Sequence, residues 1–65
     1  MFKFYKCIIL HRDDSYYRVV FKCPADKKPV AHLNSLGLVH KGDLVRDLYE
    51  VSEDTYGHVS SYQFI

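Results

Sequence analysis

Phe2-Lys3-Phe4-Tyr5-Lys6-Cys7-Ile8-Ile9-Leu10, His11-Arg12-Asp13-Asp14-Ser15, Tyr16-Tyr17-Arg18-Val19-Val20-Phe21-Lys22-Cys23 is the stretch whose reading decides the fold. It has no Gly and no Pro, and it is rich in Ile, Val, Phe and Tyr. Those side chains fit a pleated, half-buried surface, and the five residues between the two apolar runs are turn formers. The stretch predicts one long β-hairpin.

Its faces follow from where the turn is centred. With Asp13-Asp14 at the centre, the even positions of the first strand lie beside the odd positions of the second. One face then carries Phe2, Phe4, Ile8, Leu10, Tyr17, Val19, Phe21 and Cys23, and this is the expected core face. On the reverse face Lys3, Tyr5, Arg18 and Lys22 surround an apolar centre of Cys7, Ile9 and Val20, with His11 and Tyr16 near the turn. The same register points Cys7 and Cys23 to opposite faces; a turn shifted towards Ser15 would pair them. Two reduced, structural thiols are the expectation.

Downstream, Pro24-Ala25-Asp26-Lys27-Lys28-Pro29 breaks the strand. Pro29 suits the first turn of a helix, and Val30, Leu33 and Leu36 recur at helical spacing up to Gly37. A short helix from about Pro29 to Leu36 is predicted, with Gly37 as its αL cap and Leu38 touching Leu33 across it. Lys41-Gly42-Asp43 reads as a turn. Residues 44–51 are ambiguous. On a helical wheel Leu44, Val45, Leu48, Tyr49 and Val51 gather on one side, yet Glu50, Glu53 and Asp54 would then crowd the negative end of the helix dipole. As a strand, Val45, Tyr49 and Val51 share a face interrupted by Asp47. The strand is preferred, with Ser52-Glu53-Asp54-Thr55 turning into a last strand within Tyr56 to Ile65.

The expected fold is therefore α+β: a small antiparallel sheet built on an N-terminal β-hairpin, one short helix and a C-terminal strand or hairpin. The order is ββαββ, or ββααβ if residues 44–53 are helical. At 65 residues, 48% of them apolar, the chain reads as one globular domain, 1–65, of marginal size. A net charge of +1 argues against nucleic-acid binding driven by bulk charge. The start holds no apolar run long enough for a signal sequence or a membrane span, so the expected setting is a cytoplasm, a host's if the protein is viral.

No stretch carries a catalytic or cofactor signature. His11-Arg12-Asp13 matches three letters of a kinase catalytic loop, without a phosphate loop or the chain length to support it. Cys7 and His11, four strand residues apart, are separated by roughly 13 Å, too far for a thiol–imidazole pair. The four histidines and two cysteines lack zinc-site spacing. Asp13-Asp14 and Glu53-Asp54 read as turn formers, since paired acids need a deep cleft to act on a glycoside. The informative constellation is the mixed face, with Lys3, Tyr5, Ile9, His11, Tyr16, Arg18, Val20 and Lys22 as the expected partner-binding residues. A helix of about eight residues does not cover both sheet faces, and residual apolar surface favours company.

The expected function is non-enzymatic: a regulator or inhibitor that occupies a protein surface, in the style of small virus-encoded proteins that block host enzymes or defence complexes. No cofactor, metal, membrane or small-molecule substrate is expected, and self-association as a homodimer is the companion expectation. The rival is a small nucleic-acid-binding regulator using the same basic and aromatic face.

Overall fold

In a computed structural model that describes residues 1–57 and 63–64, the hairpin forms as β1, Phe2–Leu10, and β2, Tyr16–Pro24. It closes through a three-residue loop. The Asp14 amide donates to the His11 carbonyl at 3.1 Å, the His11 amide donates to the Ser15 carbonyl at 2.8 Å, and Asp14 takes the left-handed region at φ 70. This is a type I turn completed by one αL residue. The Asp13 carboxylate accepts from the Ser15 hydroxyl and from its amide, which holds that carboxyl below its usual range.

The register corrects the expected one. Cys7 pairs with Val19, Ile9 with Tyr17 and Lys3 with Cys23, so odd positions of β1 lie beside odd positions of β2. The slip of one residue turns β1 over. The core face is Tyr5, Cys7 and Ile9 with Val19, Phe21 and Cys23, and Phe2, Phe4, Ile8 and Leu10 look the other way. A two-residue type I′ loop needs φ > 0 at both central positions, and Asp13-Asp14 supplies no glycine. The longer loop asks it of Asp14 alone.

Helix α1, Pro29–Ser35, begins at its proline and ends as expected. The Gly37 amide donates to the Asn34 carbonyl and the Leu38 amide to the Leu33 carbonyl, with Gly37 at φ 77; these two bonds are the Schellman pattern. The helix lays Leu33 on the core face, where it joins Cys7, Ile9, Val19, Phe21, Cys23 and Val39 in one buried cluster.

Residues Leu44–Val51 are a strand, β3, antiparallel to β1 on the side away from β2. Its register shifts between Lys6 and Ile8, and the extra residue is accommodated at Asp47, in the left-handed region at φ 53. This bulge resets the alternation. Val45 and Leu48 both pack on the core, whereas Tyr49 lies across from Lys6 on the outer face. Ser52 then caps α2, Glu53–Tyr56, its Oγ accepting from the Thr55 amide at 3.1 Å. Glu53 and Asp54 thus sit at the positive end of a helix dipole, where acids are favourable.

A two-residue strand β4, Gln63–Phe64, pairs with β2 in parallel, opposite Val19 and Val20. The predicted last strand is confirmed only there: Tyr56 belongs to α2, and residues 58–62 and 65 lie outside the described residues. The architecture is a three-stranded antiparallel sheet, β2-β1-β3, with a short helix, a small α+β fold. Both cysteines are free and buried.

Candidate partner-binding face

Directly opposed residues of paired strands share a face, so the two registers around β1 lay out the outer face in rows. Nearest the hairpin loop, Leu10 lies between Tyr16 of β2 and Leu44 of β3. In the next row Ile8 lies between Arg18 and Arg46, then Lys6 between Val20 and Tyr49, then Phe4 between Lys22 and Val51. The last row is roofed, because the Tyr56 ring of α2 packs on Phe4 with centroids 5.1 Å apart. The first two rows are open. Leu44 is 57% exposed and Tyr16 56% exposed, and a groove of about 310 Å³ runs between Ile8, Leu10, Tyr16, Arg18, Arg46 and Asp47.

Two neighbouring strands are about 4.8 Å apart, so Arg18 and Arg46 spring from backbones roughly 10 Å apart with Ile8 between them. The Arg18 guanidinium sits 5.9 Å from the Tyr16 ring centroid, a cation–π contact that leaves its donors directed outward. Neither arginine is in an ion pair among the described residues. The patch is thus aliphatic at one end and doubly cationic at the other.

The structure divides the eight expected binding residues between the two faces. Tyr16, Arg18, Val20 and Lys22 are on the outer face, and Lys3, Tyr5, Ile9 and His11 are on the inner one. The apolar centre that was to need a partner is already covered: Cys7 and Val20 are 0% exposed and Ile9 is 1% exposed. Ile9 and Val20 therefore offer a partner nothing. Tyr5 stacks on Phe21 at 5.6 Å, and the Lys22 ammonium lies 4.7 Å from the Phe2 ring centroid. Sequence reasoning missed Ile8, Leu10, Leu44 and Arg46. The first two were assigned to the core by the wrong register, and the last two needed β3 to be placed beside β1.

His11 belongs to a different arrangement. Its Nδ1 is 2.9 Å from Asp43 Oδ2, which also accepts from the His40 amide at 2.9 Å. The His40 amide and the His11 side chain hold the Asp43 carboxyl below its usual range against the opposing effect of burial. Burial pushes the Cys7 thiol up to about 11 and raises Cys23 as well, so neither is a ready nucleophile. Among the described residues no three His, Cys, Asp or Glu side chains converge to hold a metal, and no helix is long and apolar enough to cross a membrane. Comparison with known proteins finds no family model, no curated protein and no solved structure that matches this chain.

Proposed function

We propose that this chain is a small non-enzymatic binding module, a regulator or inhibitor that lays the loop-proximal half of its outer sheet face on an apolar, acid-rimmed protein surface. The observation that carries the reading is the pair of open rows, Leu44–Leu10–Tyr16 and Arg46–Ile8–Arg18. The aliphatic row supplies area to desolvate, and the two guanidiniums supply forked donors for carboxylates on either side of Ile8. Tyr and Arg are also the side chains that most often dominate binding energy at protein interfaces. Asp13 and Asp14, in the adjoining loop, repel a phosphate backbone and disfavour the nucleic-acid alternative. Blocking a surface without chemistry is how small virus-encoded inhibitors of host enzymes and defence complexes act, a parallel resting on size and style. A cytoplasm, where buried thiols such as Cys7 and Cys23 stay reduced, is the matching setting.

The test is an affinity capture from native cytoplasm, with and without nuclease, comparing the parent chain with Leu10→Ser/Arg46→Glu and with Lys3→Ala on the other face. The reading expects a protein retained by the parent and by Lys3→Ala, lost with the double variant and indifferent to nuclease. Loss on nuclease treatment would transfer the face to nucleic acid. A light-scattering mass of twice 7.7 kDa that the double variant halves would make the partner a second copy. Retention unaffected by the double variant would overturn the assignment of this face.

A further inference from the structure

The inner face of the sheet, opposite the patch described above, holds a cavity of about 440 Å³ at the loop end, lined by Ile9, His11, Tyr17, Val19, Gly37, Leu38 and His40. Small-molecule sites typically run from about 300 to 1,000 Å³, with apolar floors and a few convergent polar groups. This cavity has that make-up. Its floor is Ile9, Val19 and Leu38, and its rim is a phenol and two imidazoles. No atom lies within 4 Å of where a Cβ on Gly37 would stand, so the space beside that turn is empty.

The polar rim has a defined direction. An ionised carboxylate only accepts hydrogen bonds, and Asp43 is held ionised by the His40 amide and His11. The proton between Asp43 and His11 therefore sits on Nδ1, and in the neutral ring Nε2 keeps its lone pair. The Tyr17 ring meets His11 edge-on at 5.1 Å, which helps hold the imidazole in that orientation. A lone pair above an apolar, aromatic-walled cavity selects a flat ring that brings a hydroxyl donor.

We infer that this cavity binds a small phenolic ligand, its ring on Ile9, Val19 and Leu38 and its hydroxyl donating to His11 Nε2, with Asp43 as the positioning residue that fixes the tautomer. The site is independent of the partner-binding patch, because it uses the other sheet face and other residues.

The experiment is a titration of the ¹⁵N-labelled chain with p-cresol and with 4-methylanisole, the same ring with the donor methylated, read on the backbone amides and the imidazole nitrogens. The expected result is that p-cresol shifts the amides of Ile9, Val19 and Leu38 and the His11 Nε2 resonance, and binds about ten-fold more tightly than the ether, the worth of one hydrogen bond. In His11→Phe that preference should vanish. Leu38→Phe, which fills the floor and leaves the His11–Asp43 pair in place, should abolish binding of both compounds. The comparison of the two compounds on the parent chain stands even if His11→Phe fails to fold. Equal affinity for phenol and ether, shifts confined to Ile8, Leu10 and Tyr16, or no shifts at millimolar p-cresol would each overturn the inference.

Discussion

Replacing Leu48 by Ala tests the bulge at Asp47, on which the whole of β3 depends. In an unbroken strand Val45, Asp47, Tyr49 and Val51 would share a face, and Leu48 would look outward. The bulge instead puts Leu48 on the core beside Val45 and leaves Tyr49 57% exposed. Burying a leucine and then emptying its site costs 2–5 kcal/mol in tight cores. Leu48 is only partly buried, so about 2 kcal/mol is the expected loss. A domain of this size has roughly 3–10 kcal/mol in total, and the variant should still fold. With a urea slope of about 1 kcal/mol/M, the midpoint falls by about 2 M. Tyr49→Ala should cost no more than about 1 kcal/mol, mostly from lost strand propensity. Asp47→Val probes the backbone itself: a β-branched residue at φ 53 costs on the order of 1–2 kcal/mol. Asp47→Gly should be tolerated to within about 1 kcal/mol. A larger loss from Tyr49→Ala than from Leu48→Ala would refute the bulge, as would a harmless Asp47→Val.

Three further outcomes can be checked by unfolding and labelling. Gly42 sits at φ 94, and a Cβ there would run into Cδ and Cγ of Arg12; Gly42→Ala should lose about 1–2 kcal/mol, and adding Arg12→Ala should restore only the steric part. With Cys7 raised to about 11 by burial, roughly one thiol in ten thousand is ionised at pH 7. Thiol labelling of the native chain should therefore be slow, with two thiols appearing on addition of urea. Asp13 and Asp43 both sit below the ordinary 3.8 in the fold, so their stabilisation is complete above that pH and is lost as pH falls through the folded values. The urea midpoint should therefore drop below pH 3.8, and Asp43→Asn should flatten that acid limb without removing it, Asp13 being left.

Much of the fold was legible. Pro29 and Gly37 bracket α1 because each does one thing at a helix end, and the run from Phe2 to Cys23 has no competitor to a hairpin. The hairpin's faces were not legible from alternation, because β1 is apolar on both sets: Phe2, Phe4, Ile8 and Leu10 on one, Tyr5, Cys7 and Ile9 on the other. Nothing polar pinned the register. The deciding signal lay in the loop, where Asp-Asp without glycine is a poor two-residue turn and Asp13 has Ser15 within reach for an Asx turn. The ambiguity of residues 44–51 has a similar cause. Val45 and Leu48, three apart, are what a helix face requires, and a strand with one extra residue produces the same spacing. The binding patch inherited both errors, since Leu10 and Ile8 went to the core with the wrong register and Leu44 and Arg46 had no assigned neighbour.

The shortage of covering material survives these corrections, but it acts at one end of the sheet and not across one face. Nine strand residues reach about 30 Å. Seven helical residues cover about 10 Å and four cover about 6 Å. Leu33 of α1 packs on the inner face within the cluster of Phe21 and Cys23, and α2 packs on the outer face over Phe4. Both helices stop short of the hairpin loop. On the inner side the segment from Leu38 to Asp43 returns to the loop end and ties down at His11, which narrows the gap to a cavity. On the outer side no described element returns over Ile8 and Leu10. The same deficit, met by a tethered loop on one face and by nothing described on the other, yields a pocket sized for a small molecule behind β1 and an open patch sized for a macromolecule in front of it.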